Sequence, residues 1–431
     1  MRLLASILAF LVLAGCVSGD RSSDSLNRIA ADYVRMTLEI GEREPGYVDA
    51  YYGPAEWQAA AKAAPRALPE LAAAAATLSA RTTAIDPSRL DPMERRRREF
   101  LLAQLRAAQT RLRMLGGEKL SFAEEAQGLF GVRVELRPLA SYDSLLARLE
   151  GLVPGTGSLA ERVDAFQDRF TIPKERLRPV FDAAIAECRR RTSQHIALPA
   201  GEAFTMEFVT GKSWSGYNYY QGNLKSLIQI NTDLPIRISR AVDLGCHEGY
   251  PGHHALNMLL EQRLTTQRGW VEFSVYPLYS PQSLIAEGSA NYGIDLAFPG
   301  PERLRYETAA LYPLAGLSTR DADKYLALIE ATRGLQGARF TIAREYLEGR
   351  IDRGHAVELT QKYQLVSRQR AEQLIDFTQQ YRSYVINYGL GQDMVQAYVE
   401  AAGSTPQARW AAMERIISEP TLPSDLLVRT R

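Results

Sequence analysis

The stretch DLGCHEGYPGHHAL, Asp243 to Leu256, places three of the chain's five histidines within eight positions. It opens with His247-Glu248, the first half of the zinc-hydrolase pattern HExxH. In that pattern two histidines four apart share one helical face, and the glutamate after the first serves as general base. Four residues after His247, however, stands Pro251. The candidate second ligands are therefore His253 and His254. On an ideal helix six residues turn the chain by roughly 240°, and seven return it to the right face but about 10.5 Å further along the axis. Neither histidine could share an ion with His247 on an unbroken helix. Pro251 breaks it, because proline has no N–H for the carbonyl of His247 and its ring pushes against that carbonyl. A kink or wide turn at Pro251-Gly252 is expected. It would absorb the added residues and bring His253, or alternatively His254, round to the metal.

Downstream, SLIAEGSANYG, Ser283 to Gly293, reads as a helix with Glu287 in its interior among small residues. A glutamate buried in such a setting is costly unless it is paired or coordinates a metal. Two histidines and a glutamate from a later helix form a thermolysin-type ligand set for Zn2+. Upstream, SLIQIN, Ser226 to Asn231, predicts a short strand with Ile228 and Ile230 on one side. Asp233 and Pro235 then predict the start of a helix running through Ile238 and Val242 into Cys246-His247-Glu248. A strand before the motif helix is the setting a zincin needs, because an edge strand can hold an extended peptide beside the metal.

Most of the remaining chain reads as helix. Asp91-Pro92-Met93-Glu94 supplies an N-cap, a proline at the first helical position and an acid at N3, ahead of Leu101, Leu102, Leu105 and Leu112. The run Arg95 to Arg98 reads as a solvated face of that helix. The alanine-rich stretch from Ala59 to Ala80 favours helix by propensity. A further helix is expected from Ile172-Pro173-Lys174-Glu175, with Leu177, Val180, Phe181 and Ile185 on one face. Pro154 to Gly157 and Pro199 to Gly201 mark loops. No internal repeat is seen. About 415 residues beyond the N-terminal segment exceed what one core usually supports, so two lobes around a cleft are expected. The fold class is therefore mainly α, with two lobes and a small β element beside the motif helix. Its divisions are residues 1–15, an N-terminal helical region at 16–205, and the catalytic region at 206–431.

With those residues in view, HEGYPGHH followed by AEGSANY resembles the bacterial domain-of-unknown-function family 885. That family's pattern is His-Glu-x-x-Pro-Gly-His-His and then Glu-Gly-Trp-Ala-x-Tyr. AYYGPAEW (50–57), YNYYQGNLKSLIQINTDLP (217–235) and SYVINYGLG (383–391) are similar to other family segments, so the resemblance covers most of the chain beyond its first residues. Ser289 stands where the family has tryptophan, a difference that bears on pocket shape. The resemblance implies a helical zincin-like metallopeptidase. Zinc would be bound by His247, His253 or His254, and Glu287, with Glu248 as the base that activates water. Zincins often add an oxyanion-stabilising side chain, for which Tyr388 is the first candidate and Tyr384 the second.

The first residues, MRLLASILAFLVLAGC, read as a signal: Arg2, an apolar run from Leu3 to Leu13, and small residues before Cys16. Leu-Ala-Gly-Cys resembles the lipoprotein box, which implies cleavage before Cys16 and a lipid anchor there. Val17 after the cysteine implies an outer-membrane lipoprotein facing the periplasm. Cys188 and Cys246 could pair in an oxidising compartment. Lysine plus arginine total 51 against 50 acidic residues, which removes any charge argument for a nucleic-acid partner. TGKS, 210–213, lacks the earlier glycine of a phosphate loop, where Met206 stands; GKSWS ends on Ser215, where a nucleophile elbow needs glycine. His195 and His355, each alone, read as structural. The expected function is a zinc-dependent hydrolase, a metallopeptidase cleaving short peptides. The alternative is a non-catalytic envelope lipoprotein that binds peptide or a protein partner in the same cleft.

Overall fold

Local capping chemistry sets where the helices begin. In the computed structural model, which describes residues 17–428, Asp91 caps a helix as expected. Its carboxylate accepts from the N–H groups of Met93 and Glu94 at 2.7 and 2.9 Å, and Glu94 accepts from the N–H of Asp91 at 3.2 Å. The chain runs α1 (Val17–Arg43), β1 (Val48–Tyr51), α2 (Ala55–Ala63), α3 (Leu68–Thr83) and α4 (Pro92–Leu115). The alanine-rich stretch is thus two helices rather than one. Pro65 lies in the break, and having no N–H it cannot continue the ladder.

The Arg95 to Arg98 run is a correction to the sequence reading. Arg97 is 1% exposed. It pairs with buried Glu272 on both carboxylate oxygens and donates to Asn27. Arg98 is buried against the carbonyls of Thr82 and Thr83. Helical phase turned two of the four arginines inward, where the Glu272 carboxylate and the carbonyls ending α3 satisfy them.

The molecule is 68% helical and 7% strand, a mainly α fold. After α5 (Leu177–Ser193) come β2 (Ala203–Val209), β3 (Gly216–Gly222) and β4 (Lys225–Asn231), in spatial order β2-β4-β3. The pair β2 and β4 is parallel, while β3 and β4 are antiparallel with Asn218 opposite Ile228. Ile228 and Ile230 are buried on one side, as their alternation predicted. The strand is nevertheless central, so the edge beside the motif belongs to β3, whose Asn218 amide donates to the Glu248 carbonyl at 2.7 Å. A second pairing joins β1 to β5 (Val275–Pro277), antiparallel.

The motif helix α6 (Ser239–Leu244) starts later than its signal implied. Asp233 instead accepts from the N–H groups of Gly211 and Lys212, tying two loops together. Beyond it lie α7 (His253–Leu260), α8 (Pro281–Ala297), α9 (Gln336–Leu347), α10 (Arg368–Tyr381) and α11 (Ile386–Ala401). Helices α8 and α11 cross with their backbones touching. A Cβ on Gly391 would stand 2.7 Å from the Leu284 carbonyl and 3.1 Å from Gly288 Cα, so both positions at the crossing need glycine.

The larger apolar cluster draws on both sides of residue 205, from Leu26 to Leu426. A smaller one is built from residues 142–163 and 328–375. Among the described residues no helix is long and apolar enough to cross a membrane. The expected signal segment and Cys16 lie outside the described residues.

Candidate metal centre

The Asp243–Leu256 stretch does not stay helical. After α6 it widens into a π turn over Gly245–Gly249, Tyr250 is extended, and α7 begins at His253. The N–H of Gly252 donates to the Cys246 carbonyl at 3.0 Å, folding the chain back on itself. This close return is possible only at glycine, because a Cβ on Gly252 would collide with the backbone carbonyls of Cys246 and His247. A disulfide between Cys188 and Cys246, with Cα atoms 5.4 Å apart, fastens the π turn to α5.

The return brings His253 to the face of His247. Their rings meet edge to face with centroids 4.6 Å apart. Glu287 of α8 completes the group: its Oε2 lies 3.2 Å from His247 Nε2 and 3.7 Å from His253 Nε2. One ligand atom from each of the three lies within 4.8 Å of the others. Glu287 Oε2 is buried and makes no hydrogen bond, although two imidazole nitrogens face it. A buried carboxylate oxygen left this way is costly. Two nitrogens and one oxygen converging on a common point also suit a tetrahedral zinc, whose donors stand roughly 3.4 Å apart for bonds of about 2.1 Å. The residues present therefore fit the ion.

Neighbouring hydrogen bonds fix the orientation of these groups. Asn291, one turn after Glu287 on α8, donates through Nδ2 to the Tyr388 carbonyl at 3.0 Å. Its Oδ1 is thereby the atom facing His247 Nδ1, at 2.9 Å. His247 must carry its proton on Nδ1, which leaves the Nε2 lone pair aimed at the common point. Tyr384 donates to Glu287 Oε1 at 2.7 Å.

The two histidines differ in their electrostatics: burial pushes His247 down, but Glu287, Glu248 and Asn291 outweigh it and hold it above its ordinary value. Burial and the adjacent His247 push His253 down to about 4, so it is neutral. Burial pushes Glu287 up, but the contacts with His247 and His253 and the Tyr384 hydroxyl outweigh it and hold the carboxyl below its ordinary value. Glu248 is pushed up to about 7, chiefly by burial. One of its carboxylate oxygens has no hydrogen bond, and the other faces Gly216 of β3, where a Cβ would stand 2.5 Å away.

His254 takes no part in this group. It is fully buried, with Nδ1 2.8 Å from Ser226 Oγ and Nε2 3.0 Å from Glu202. The order Ser226–His254–Glu202 has the form of a catalytic triad. All three are buried outside the cavity that holds His247, so they act as a tie between β4, α7 and the approach to β2. His195 stacks on Trp410, and His355 sits at a helix start next to Glu358.

His247, Glu248, His253, Glu287, Tyr384 and Tyr388 line one cavity of about 780 Å³, within the range of small-ligand sites. Tyr384 is engaged by Glu287, whereas the Tyr388 hydroxyl donates to no residue among those described, leaving it available at the wall. The sequence reading missed Asn291, although its place four residues after Glu287 puts it on the same helix face. It also missed Gly216, Asp49 and a set of arginines, whose approach depends on long-range packing. Asp49 is bonded to the Tyr217 hydroxyl at 3.0 Å, and burial pushes it up to about 7.

No protein-family model matches the chain, and no curated protein does. Among solved structures, one from Colwellia psychrerythraea, described as a lipoprotein, aligns with a TM-score of 0.51 at 13% identity, covering 83% of this chain and 68% of that one. An M32 carboxypeptidase from Deinococcus radiodurans R1 aligns with a TM-score of 0.36 at 14% identity, covering 92% and 89%. At these identities what the Colwellia protein shares with this chain is the fold.

Proposed function

We propose that the protein is a zinc-dependent hydrolase, a metallopeptidase that cleaves short peptides in the cavity around His247. The observation that carries the reading is the convergence of His247 Nε2, His253 Nε2 and Glu287 Oε2 beside the buried Glu248. Those three residues would hold the ion. When bound, zinc supplies a Lewis acid that polarises the peptide carbonyl and acidifies water.

The chain's own residues supply the rest. Glu248, with a free buried oxygen and an affinity for protons near neutrality, takes a proton from the attacking water and delivers it to the leaving amine nitrogen. Gly216 keeps the space at that carboxylate open. Tyr388 donates its hydroxyl to the carbonyl oxygen as negative charge develops there. Asn291 locks the His247 tautomer. The resemblance of Leu-Ala-Gly-Cys to a lipoprotein box supports reading the enzyme as a cell-envelope protein held by lipid on Cys16, in the outer membrane and facing the periplasm.

Zinc content of the purified chain tests the reading, measured beside His247→Ala, Glu287→Ala and Glu248→Gln. The expected outcome is about one zinc per wild-type chain, loss in the two alanine variants, and retention in Glu248→Gln with loss of peptide turnover. Wild-type protein that takes up no zinc when it is supplied refutes the proposal. So does Glu248→Gln that cleaves peptides at the wild-type rate.

A further inference from the structure

The charges along the wall of the metal cavity do not balance. Arg111 and Arg333 reach into it but are neutralised, by Glu44 and by Asp295 at 2.8 Å. Arg339 and Arg370 line the same cavity and have no carboxylate partner among the described residues. Arg370 donates to the Ser215 hydroxyl at 2.8 Å and to the Gln373 amide oxygen, both neutral. Arg339 lies over the rings of Phe377 and Tyr388, 5.4 and 5.7 Å from their centroids, and its buried Nε has no hydrogen-bond acceptor. Arg240 stands 3.4 Å from Asp243, but Asp243 is already held by Arg303 at 2.9 Å.

Arg339 and Arg370 are partly buried; guanidinium groups withdrawn from water without counter-charge are costly, and like charges in one cavity raise that cost. Burial and the nearby Arg240, Arg339 and Arg237 push Arg370 down to about 10. Two tethers place these charges beside the centre. Ser215, which holds Arg370, precedes Gly216, the residue packed on Glu248. Tyr388, beneath Arg339, accepts from the Asn291 that orients His247.

We propose that Arg339 and Arg370, with Arg240, form a subsite that binds a carboxylate of the peptide substrate next to the bond being cleaved. The inference rests on the peptidase reading for the kind of ligand, and on the unpaired arginines for its charge. The carboxylate is either the free C-terminus of the peptide or an acidic side chain. A planar guanidinium fork suits both.

Equilibrium binding to the zinc-loaded Glu248→Gln chain separates the two sources, using three N-acetylated alanine tetrapeptides. One has a free C-terminal carboxylate, one a C-terminal amide, and one a C-terminal amide with a single glutamate. Charge-assisted hydrogen bonds of this kind predict that a carboxylate peptide binds about 10- to 100-fold tighter than the plain amide. Preference for the free acid identifies the C-terminus, and preference for the glutamyl amide identifies a side chain. Arg339→Met and Arg370→Met should each remove most of that preference while leaving the plain amide's affinity unchanged, and Arg370→Lys should restore part of it. The proposal is overturned if wild-type arginines give no preference, or if the methionine variants weaken all three peptides equally. Should the methionine variants fail to fold, the peptide comparison alone decides. Binding requires no turnover, so a chain that selects carboxylates yet never cleaves peptides would refute the hydrolase and leave this subsite standing.

Discussion

Replacing Gly252 by alanine should separate the metal centre from the fold. The added Cβ would lie 2.5 Å from the Cys246 carbonyl oxygen and nearer still to the carbonyl of His247, whereas ordinary contact begins at 3.4 Å. These are backbone atoms held by the Gly252 N–H bond to Cys246 and by the disulfide, so no side chain can swing aside. The His247 carbonyl oxygen would stand only 1.8 Å from that Cβ, so the return must open by about 1.6 Å to reach ordinary contact at 3.4 Å, and His253 follows Gly252 directly at the first position of α7. Zinc coordination tolerates ligand displacements of only about 0.2 Å. The strain of a locally overpacked site is typically about 1–3 kcal/mol, small enough for a chain with a large core to remain folded. The expected result is a folded protein whose zinc affinity, measured by competition with a chromogenic chelator, has fallen at least about 100-fold. Far-UV circular dichroism and thermal unfolding in chelator would follow the fold. Wild-type zinc affinity in a folded Gly252→Ala protein would refute the claim that this return brings His253 to the ion.

Other perturbations bear on neighbouring parts. Tyr384→Phe removes the hydroxyl that donates to Glu287 Oε1. Zinc affinity should fall about 10- to 100-fold, and an unchanged chelator titration would show that Glu287 needs no such support. Burial pushes the Glu202 carboxyl up, but hydrogen bonds from His254, Tyr250 and Arg189 outweigh it and hold it at about 2. Its folded-state pKa lies below its unfolded one, so its stabilisation, on the order of 3 kcal/mol, is present above about pH 4.5 and lost as pH falls through about 2. The difference in unfolding free energy between wild type and Glu202→Gln should therefore shrink from pH 6 to pH 3; a constant difference would contradict the assignment. Cys188 and Cys246 are 58 residues apart in sequence, and chain entropy gives their bond roughly 4 kcal/mol. The double serine variant should melt well below wild type in non-reducing buffer, and equal melting temperatures would refute that contribution.

Much of the site was legible because its chemistry is local. His247, Glu248 and Glu287 could be singled out from residue type and spacing, and Pro251-Gly252 announced that the helix must break. The choice between His253 and His254 was not legible. Both follow the break, and which one faces Glu287 depends on the phase of α7, fixed by packing of Leu256, Met258 and Leu259 in the core. SLIQIN was readable as a strand, but its central place required knowing that β2 and β3 flank it. Asp233 carried a genuine capping signal that two distant N–H groups claimed instead. The arginine run beside Asp91 hid a buried ion pair, since Glu272 lies 175 residues further along the chain.

The glycine contact between α8 and α11 also bears on the order in which the chain is made. Glu287 and Asn291 stand on one of the touching helices, and Tyr388 on the other. No side-chain layer separates the two at Gly288 and Gly391. The His247 tautomer depends on an amide that is itself oriented across that crossing, so a nascent chain that has not yet emerged past residue 391 possesses all three candidate ligands but cannot hold them in register. Synthesis from the N-terminus thus delivers the candidate ligands long before the helix that arranges them, and a fragment ending at Tyr381 should bind zinc loosely even where its own helices form.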